Sequence, residues 1–169
     1  ATKWVLDEPM PGAVKTMVVA DAYSNLPCDI LFSALDSSVA GEIEERFATA
    51  GYAVLSNSKN HRMDPDVPLL VPEVNAEHAE ILALQKARRG SAGFIATNPN
   101  CTTTGLVMAL KPLHDAFKVT KVFVTTMQAL SGAGYPGVPS MDIIDIVIPL
   151  MGGEEVKVES EPRKILGGL

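Results

Sequence analysis

Three neighbouring stretches decide the fold: Cys28-Asp29-Ile30-Leu31-Phe32-Ser33-Ala34-Leu35, then Asp36-Ser37-Ser38, then Tyr52-Ala53-Val54-Leu55-Ser56-Asn57. The first is a short apolar run between turn signals, the pattern of a strand buried on both faces. The second offers side-chain oxygens to the free N–H groups of a helix start. Val39 to Gly51 then reads as a helix. Ile43 and Phe47 share one face, Glu42, Glu44, Glu45 and Arg46 face water, and Gly51 is the natural stop. The third stretch is the next strand. Strand, helix and strand at this spacing form a βαβ unit, which requires a parallel sheet.

Outward from this unit the pattern continues. Upstream, Pro9, Pro11 and Gly12 break the chain, and Val14 to Ala20 reads as a strand. Residues 57–75 are polar and proline-rich, and they leave the carboxyl end of a parallel strand, where open α/β sheets bind ligands. Residues 76–87 read as helix, Gly93 to Thr97 as strand and Asn98-Pro99-Asn100 as a turn. A second helix starts near Cys101, with Leu106, Val107, Leu110, Leu113 and Phe117 on one face and Pro112 kinking or shortening it. Val119 to Leu130 is a long β-rich run, Ser131 to Pro139 a glycine-proline loop, and Met141 to Leu169 a mixed piece. No repeat and no low-complexity tract interrupts the chain.

The chain has 169 residues, 47% of them hydrophobic and 20% charged, which supports a real core and excludes intrinsic disorder. Its net charge of −6, without a basic run, excludes a nucleic-acid binder. Polar residues interrupt every apolar stretch well short of a membrane span. Two cysteines cannot build a disulfide scaffold, and reduced, cytoplasmic use is expected. The start, Ala1-Thr2-Lys3-Trp4, has neither an initiator Met nor a signal-peptide layout, so the chain reads as cut from the middle of something longer.

Cys101 is the most informative residue. It follows a strand and a tight turn and sits at the start of a helix, where unpaired N–H groups and the helix dipole favour a thiolate. A thiolate is the reactive form for acyl transfer or attack on an aldehyde. The alternative is a buried apolar cysteine with Thr102, Thr103 and Thr104 capping the helix. Cys28, which begins an apolar strand, reads as a core residue.

Asn98-Pro99-Asn100-Cys101-Thr102-Thr103-Thr104-Gly105-Leu106 resembles the nucleophile motif of the aspartate-semialdehyde dehydrogenase family, archaeal and fungal type. Met127-Gln128-Ala129-Leu130-Ser131-Gly132-Ala133-Gly134 resembles that family's Gln-Ala-x-Ser-Gly-Ala-Gly loop. Gly153-Glu154-Glu155-Val156-Lys157 resembles its substrate-binding Glu-x-x-Lys segment, and Ser33 to Ala40 the end of its Rossmann part. The motifs follow the family's order over nearly the whole chain.

The resemblance implies an α/β fold: the end of a Rossmann-type parallel sheet over residues 1–100, then part of a mixed catalytic and dimerisation domain over 101–169. It implies oxidation of L-aspartate 4-semialdehyde with phosphate and NADP⁺ to L-4-aspartyl phosphate and NADPH, run in reverse in biosynthesis of lysine, threonine and methionine from aspartate. By motif, Cys101 is the nucleophile and Gln128 orients the substrate beside it. Arg62 grips phosphate, which a guanidinium fork suits. Glu154 takes the substrate amino group, Lys157 the phosphate, and Asn100 shapes the site. Ser38, Ser131 and Gly132 line the cofactor. No metal is implied, and a homo-oligomer is. Without the family motif, Arg62 reads as a solvated loop residue, and Glu154 with Lys157 as a surface ion pair.

Gly132-Ala133-Gly134-Tyr135-Pro136-Gly137 spells G-x-G-x-x-G, but Pro136 and Pro139 argue for a wandering loop over a dinucleotide fingerprint. The family's glycine-rich NADP loop has no counterpart here. None of His61, His78 and His114 matches its general-base histidine; His114 lies roughly 20 Å along the helix from Cys101. The chain alone is therefore expected to show little turnover. Two alternatives stay open: a malonyl-CoA or other acyl-CoA reductase on the same scaffold, and a non-catalytic assembly module.

Overall fold

A computed structural model describes residues 4, 6–22, 25–133, 137–149 and 152–167, with the side chains of Ser131 and Ala133 left out. The sheet has three parallel strands in the order β1 (Ile30–Ser33), β2 (Ala53–Ser56) and β3 (Phe94–Thr97). The register sets Ser33, Ser56 and Thr97 side by side, so three hydroxyls line its carboxyl edge.

A short turn, α1 (Gly12–Lys15), precedes the sheet. Met17 to Ala20 after it forms no strand, and Val18 and Val19 are almost wholly exposed; β-rich residues need a ladder partner, and among the described residues they have none. The first βαβ helix, α2 (Ser37–Thr49), starts where expected, with Asp36 accepting from the Ser38 N–H at 2.9 Å. It ends at Ala50, and Gly51 follows at φ +105°, a backbone that favours glycine.

Three expectations for this unit fail. β1 is not buried on both faces: as an outer strand it leaves Ile30 and Phe32 exposed, while Leu31 on the other face is half-buried against the sheet cluster. Cys28 is likewise exposed and not in the core. Glu44 does not face water. It is fully buried on the stripe Ala40, Ile43, Glu44, Ala48, and its Oε1 accepts from Ser33 Oγ at 2.5 Å and Ser56 Oγ at 2.7 Å.

β2 leads through a long loop to α3 (Pro72–Asn75), a 3₁₀ turn at Ala76–Glu80 and α4 (Ile81–Arg89). Gly93, just before β3, runs against backbone: a Cβ there would lie 2.3 Å from the Tyr52 carbonyl oxygen and 2.4 Å from that of Ala48. The outer side of β3 is closed. The buried Gln85 amide accepts from Ile95 N and donates to Ile95 O and Asp66 O at 2.7–2.9 Å, taking the place of a neighbouring strand. Leu70 N donates to Thr97 O, and Thr97 N to Pro68 O, finishing that edge.

The second half is helical. α5 (Cys101–Phe117) passes through Pro112 without being shortened; the carbonyl freed by the missing N–H belongs to Met108, on an exposed stretch. Its buried positions are Thr103 and Val107, while Leu113 and Phe117, expected on the packed face, are exposed. Val119 to Leu130 makes no strand, and Phe123 and Met127 are almost fully open to solvent. α6 (Glu154–Leu166) packs on α5 and α3. Two apolar clusters result: Ala48, Tyr52, Val54, Val67 and Ile95 against the sheet, and Leu69, Val71, Val74, Val107 and Ile165 among the helices. Among the described residues, no helix is long and apolar enough to cross a membrane.

Candidate active site

Both helix starts, α2 and α5, lie at the carboxyl edge of the sheet, because each follows a parallel strand. The loops between them are tied together. Asn60 Nδ2 donates to Ser37 O at 2.9 Å, and Asn98 Nδ2 donates to Asn57 Oδ1 at 2.8 Å. Cys101 is the first residue of α5 and is exposed.

Asn100 caps α5. Its Oδ1 accepts from Thr102 N at 2.9 Å and Thr103 N at 3.4 Å, and its Nδ2 donates to both Glu154 carboxylate oxygens at 3.0 Å. Gln128 Nε2 donates to Thr102 Oγ1 at 3.1 Å and Glu154 Oε2 at 3.2 Å, which sets the amide one residue along from Cys101. Lys157 Nζ lies 2.7 Å from Glu154 Oε1. Burial works to raise the Glu154 carboxyl, but the Lys157 ammonium and the Gln128 and Asn100 amides outweigh it and hold the group below its usual range. Asn100, Gln128, Glu154 and Lys157 thus form one hydrogen-bonded cluster beside the thiol. It can offer a bound molecule a carboxylate, an ammonium and an amide, and two residues tied to it, Asn100 and Thr102, flank the exposed Cys101 in the chain.

Arg62 is placed differently from a solvated or open loop residue. It is buried, with Nη1 donating to Glu161 Oε1 at 2.9 Å and Nη2 to Asn57 O at 2.8 Å, so its fork points inward. Glu161, equally buried, accepts the Asn100 N–H on Oε2 at 2.8 Å. Lys164 Nζ donates to the carbonyls of Arg62, Asp64 and Val67 at 2.7–2.8 Å and so folds the loop onto α6. Burial pushes the Lys164 ammonium below its usual range, against the pull of Asp64 and Asp66.

Sequence reasoning missed Glu161 and Lys164. Their signal was present: Glu154, Lys157, Glu161 and Lys164 recur at three and four residues, one polar stripe along a helix.

Ser38 stands exposed at the start of α2, its hydroxyl donating to Asp36 Oδ1 at 2.7 Å. Gly132 lies in a 3₁₀ turn, Leu130–Ala133, where a Cβ would meet Gln128 Oε1 at 3.6 Å. The Ser131 side chain and residues 134–136 of the glycine-rich loop lie outside the described ones.

His61 is buried, its ring nitrogens facing Asp64 at 2.8 Å and the Gly41 carbonyl at 3.3 Å. His78 faces Asn75 and the Gly167 carbonyl.

Two family models match the chain: "Semialdehyde dehydrogenase, NAD binding domain" over residues 3–82 and "Semialdehyde dehydrogenase, dimerisation domain" over residues 110–169. Aspartate-semialdehyde dehydrogenase of Archaeoglobus fulgidus is 53% identical over 166 residues, covering 97% of this chain and 48% of that protein. The enzyme of Methanothermobacter thermautotrophicus is 50% identical over 98% of this chain and 48% of its own length. Fungal relatives, such as that of Cryptococcus neoformans at 50%, match equally. The crystal structure of the Candida albicans enzyme with NADP superposes with a TM-score of 0.81 at 41% identity, over 99% of this chain and 48% of that one. The chain spans about half the length of the curated relatives it matches.

Proposed function

The chain belongs to the aspartate-semialdehyde dehydrogenase family, and we propose that it carries the nucleophile-bearing part of an NADP-dependent enzyme that interconverts L-aspartate 4-semialdehyde and L-4-aspartyl phosphate. One observation carries this reading: an exposed cysteine opens α5 directly beside the Asn100, Gln128, Glu154 and Lys157 cluster.

In the phosphorylating direction the Cys101 sulfur adds to the aldehyde carbon. NADP⁺, when bound, would supply the acceptor for the hydride whose loss makes this adduct a thioester, and phosphate would then displace the sulfur from the acyl carbon. A covalent intermediate divides one hard step into two easier ones. Gln128 holds the carbonyl end near the sulfur without adding charge. The Glu154 carboxylate suits an ammonium group, and Lys157 suits a phosphate. Arg62 supports this cluster indirectly, through Glu161 to the Asn100 N–H, because its donors are turned inward. The chain's own residues fit one side of NADP: Ser38 and Cys101 are exposed along the same sheet edge, and Gly132 presents bare backbone next to Gln128. A homo-oligomer, cytoplasmic, belongs to the same reading.

The test needs no cofactor. L-4-aspartyl phosphate is incubated with the chain and the adduct read by mass spectrometry. Attack by the Cys101 thiolate on the acyl carbon expels inorganic phosphate and leaves an aspartyl thioester. The expected result is one hydroxylamine-labile adduct at Cys101, absent in Cys101→Ser. An adduct from malonyl-CoA alone would favour an acyl-CoA reductase instead, and no adduct from either would defeat the reading.

A further inference from the structure

Glu161 has no part in the chemistry above, yet it is a carboxylate only 2% exposed, far in sequence from both groups it touches. Its Oε1 takes Arg62 and its Oε2 takes the main-chain N–H of Asn100, the residue immediately before the nucleophile. A buried carboxylate is costly unless its charge is matched and its lone pairs are filled. Here both conditions are met by one loop arginine and one backbone amide.

We infer that Glu161 is a positioning residue for the nucleophile turn: through Arg62 on one oxygen and Asn100 N–H on the other, it fixes where Cys101 stands. The inference rests on the reading of Cys101 as nucleophile. The side chain of Asn100 orients the turn through Thr102, Thr103 and Glu154, and Glu161 holds its backbone N–H. Glu161 also belongs to α6, the helix that presents Glu154 and Lys157. Sulfur, carboxylate and ammonium are therefore held in one frame whose ends are tied at a single buried carboxylate. Ile165, 1% exposed and one turn along from Glu161, seats this part of the helix in the cluster with Val107 and Leu69.

Glutamine is the informative replacement, because it has the same shape but only one oxygen to accept. It can serve Arg62 or Asn100, not both. Amide hydrogen exchange is measured residue by residue on wild type, Glu161→Gln and the exposed control Glu159→Gln. Glu161→Gln is expected to speed exchange at Asn100 about tenfold or more, the size of losing a hydrogen bond to a charged group. The Leu70 and Asn98 amides, bonded within the sheet edge, should be unchanged.

Adding Arg62→Lys to Glu161→Gln should cause little further change at Asn100, because the coupling is already cut. If Glu161→Gln does not fold, Glu161→Asp, shorter by one methylene, gives the same selective readout. Unchanged exchange at Asn100 in both Glu161→Gln and Glu161→Asp overturns the inference, and so does uniform loss of protection at all amides, which marks a merely structural residue. Failure of the acyl adduct in wild type would instead strike at the nucleophile reading and leave the exchange result standing.

Discussion

Asn100 has a partner at every polar atom: Glu161 at its N–H, Thr104 at its carbonyl, Thr102 and Thr103 at Oδ1, and Glu154 at Nδ2. Asn100→Ala removes the helix cap and two donors to a carboxylate. A stability loss of about 1–2 kcal/mol is expected, read from urea unfolding. Asp66 acts on pH. The Arg89 guanidinium, at 2.7 and 2.9 Å, holds its carboxyl below the ordinary value of 3.8. A folded carboxyl shifted down contributes stability that is full above that ordinary value and lost as pH falls through the folded one. Asp66→Asn should therefore be less stable at neutral pH, with a shallower loss in acid. Urea midpoints taken from about pH 6 to pH 3 check this. At this scale the sequence was legible where a residue obeyed its own element. Asp36 was readable as a cap, whereas Asn100 was read as part of a turn, with the capping left to the threonines after it. Glu44 was misread because its polarity was weighed above its place on the buried stripe.

The elements were legible wherever both flanks carried signals. All three strands of the sheet and the α2, α4 and α5 helices could be placed from apolar runs, caps and turn residues. Residues Val14–Ala20 and Val119–Leu130 were not, because β-rich composition says nothing about whether a partner strand is present. α6 was read only as a mixed piece, since its regular feature is polar. Gln85 carries an element-scale prediction. Gln85→Leu leaves the Ile95 N–H and C=O buried without partners, and a loss of about 3 kcal/mol or more in thermal unfolding is expected. Gly93→Ala should be harsher still, because backbone on two sides blocks the added carbon, and little folded protein should be recovered.

Among the described residues, large apolar side chains stand exposed at many places, Ile30 and Phe32 on the rim of β1 and Phe123 and Met127 beyond α5 among them. Large open apolar areas mark contact surfaces. The chain is expected to sediment faster with rising concentration. Phe32→Lys and Phe123→Lys should each weaken that dependence without altering the far-ultraviolet dichroism. The amide of Gln85 decides how far such contact can spread. Ile95 and Thr97 have no free backbone group for a newcomer, so among the described residues the rim of the sheet left to receive another strand is that of β1. A sheet able to extend from both margins grows into an open-ended ribbon. With one margin blocked, copies that meet rim to rim close as a pair, and fibre growth along that direction stops at two.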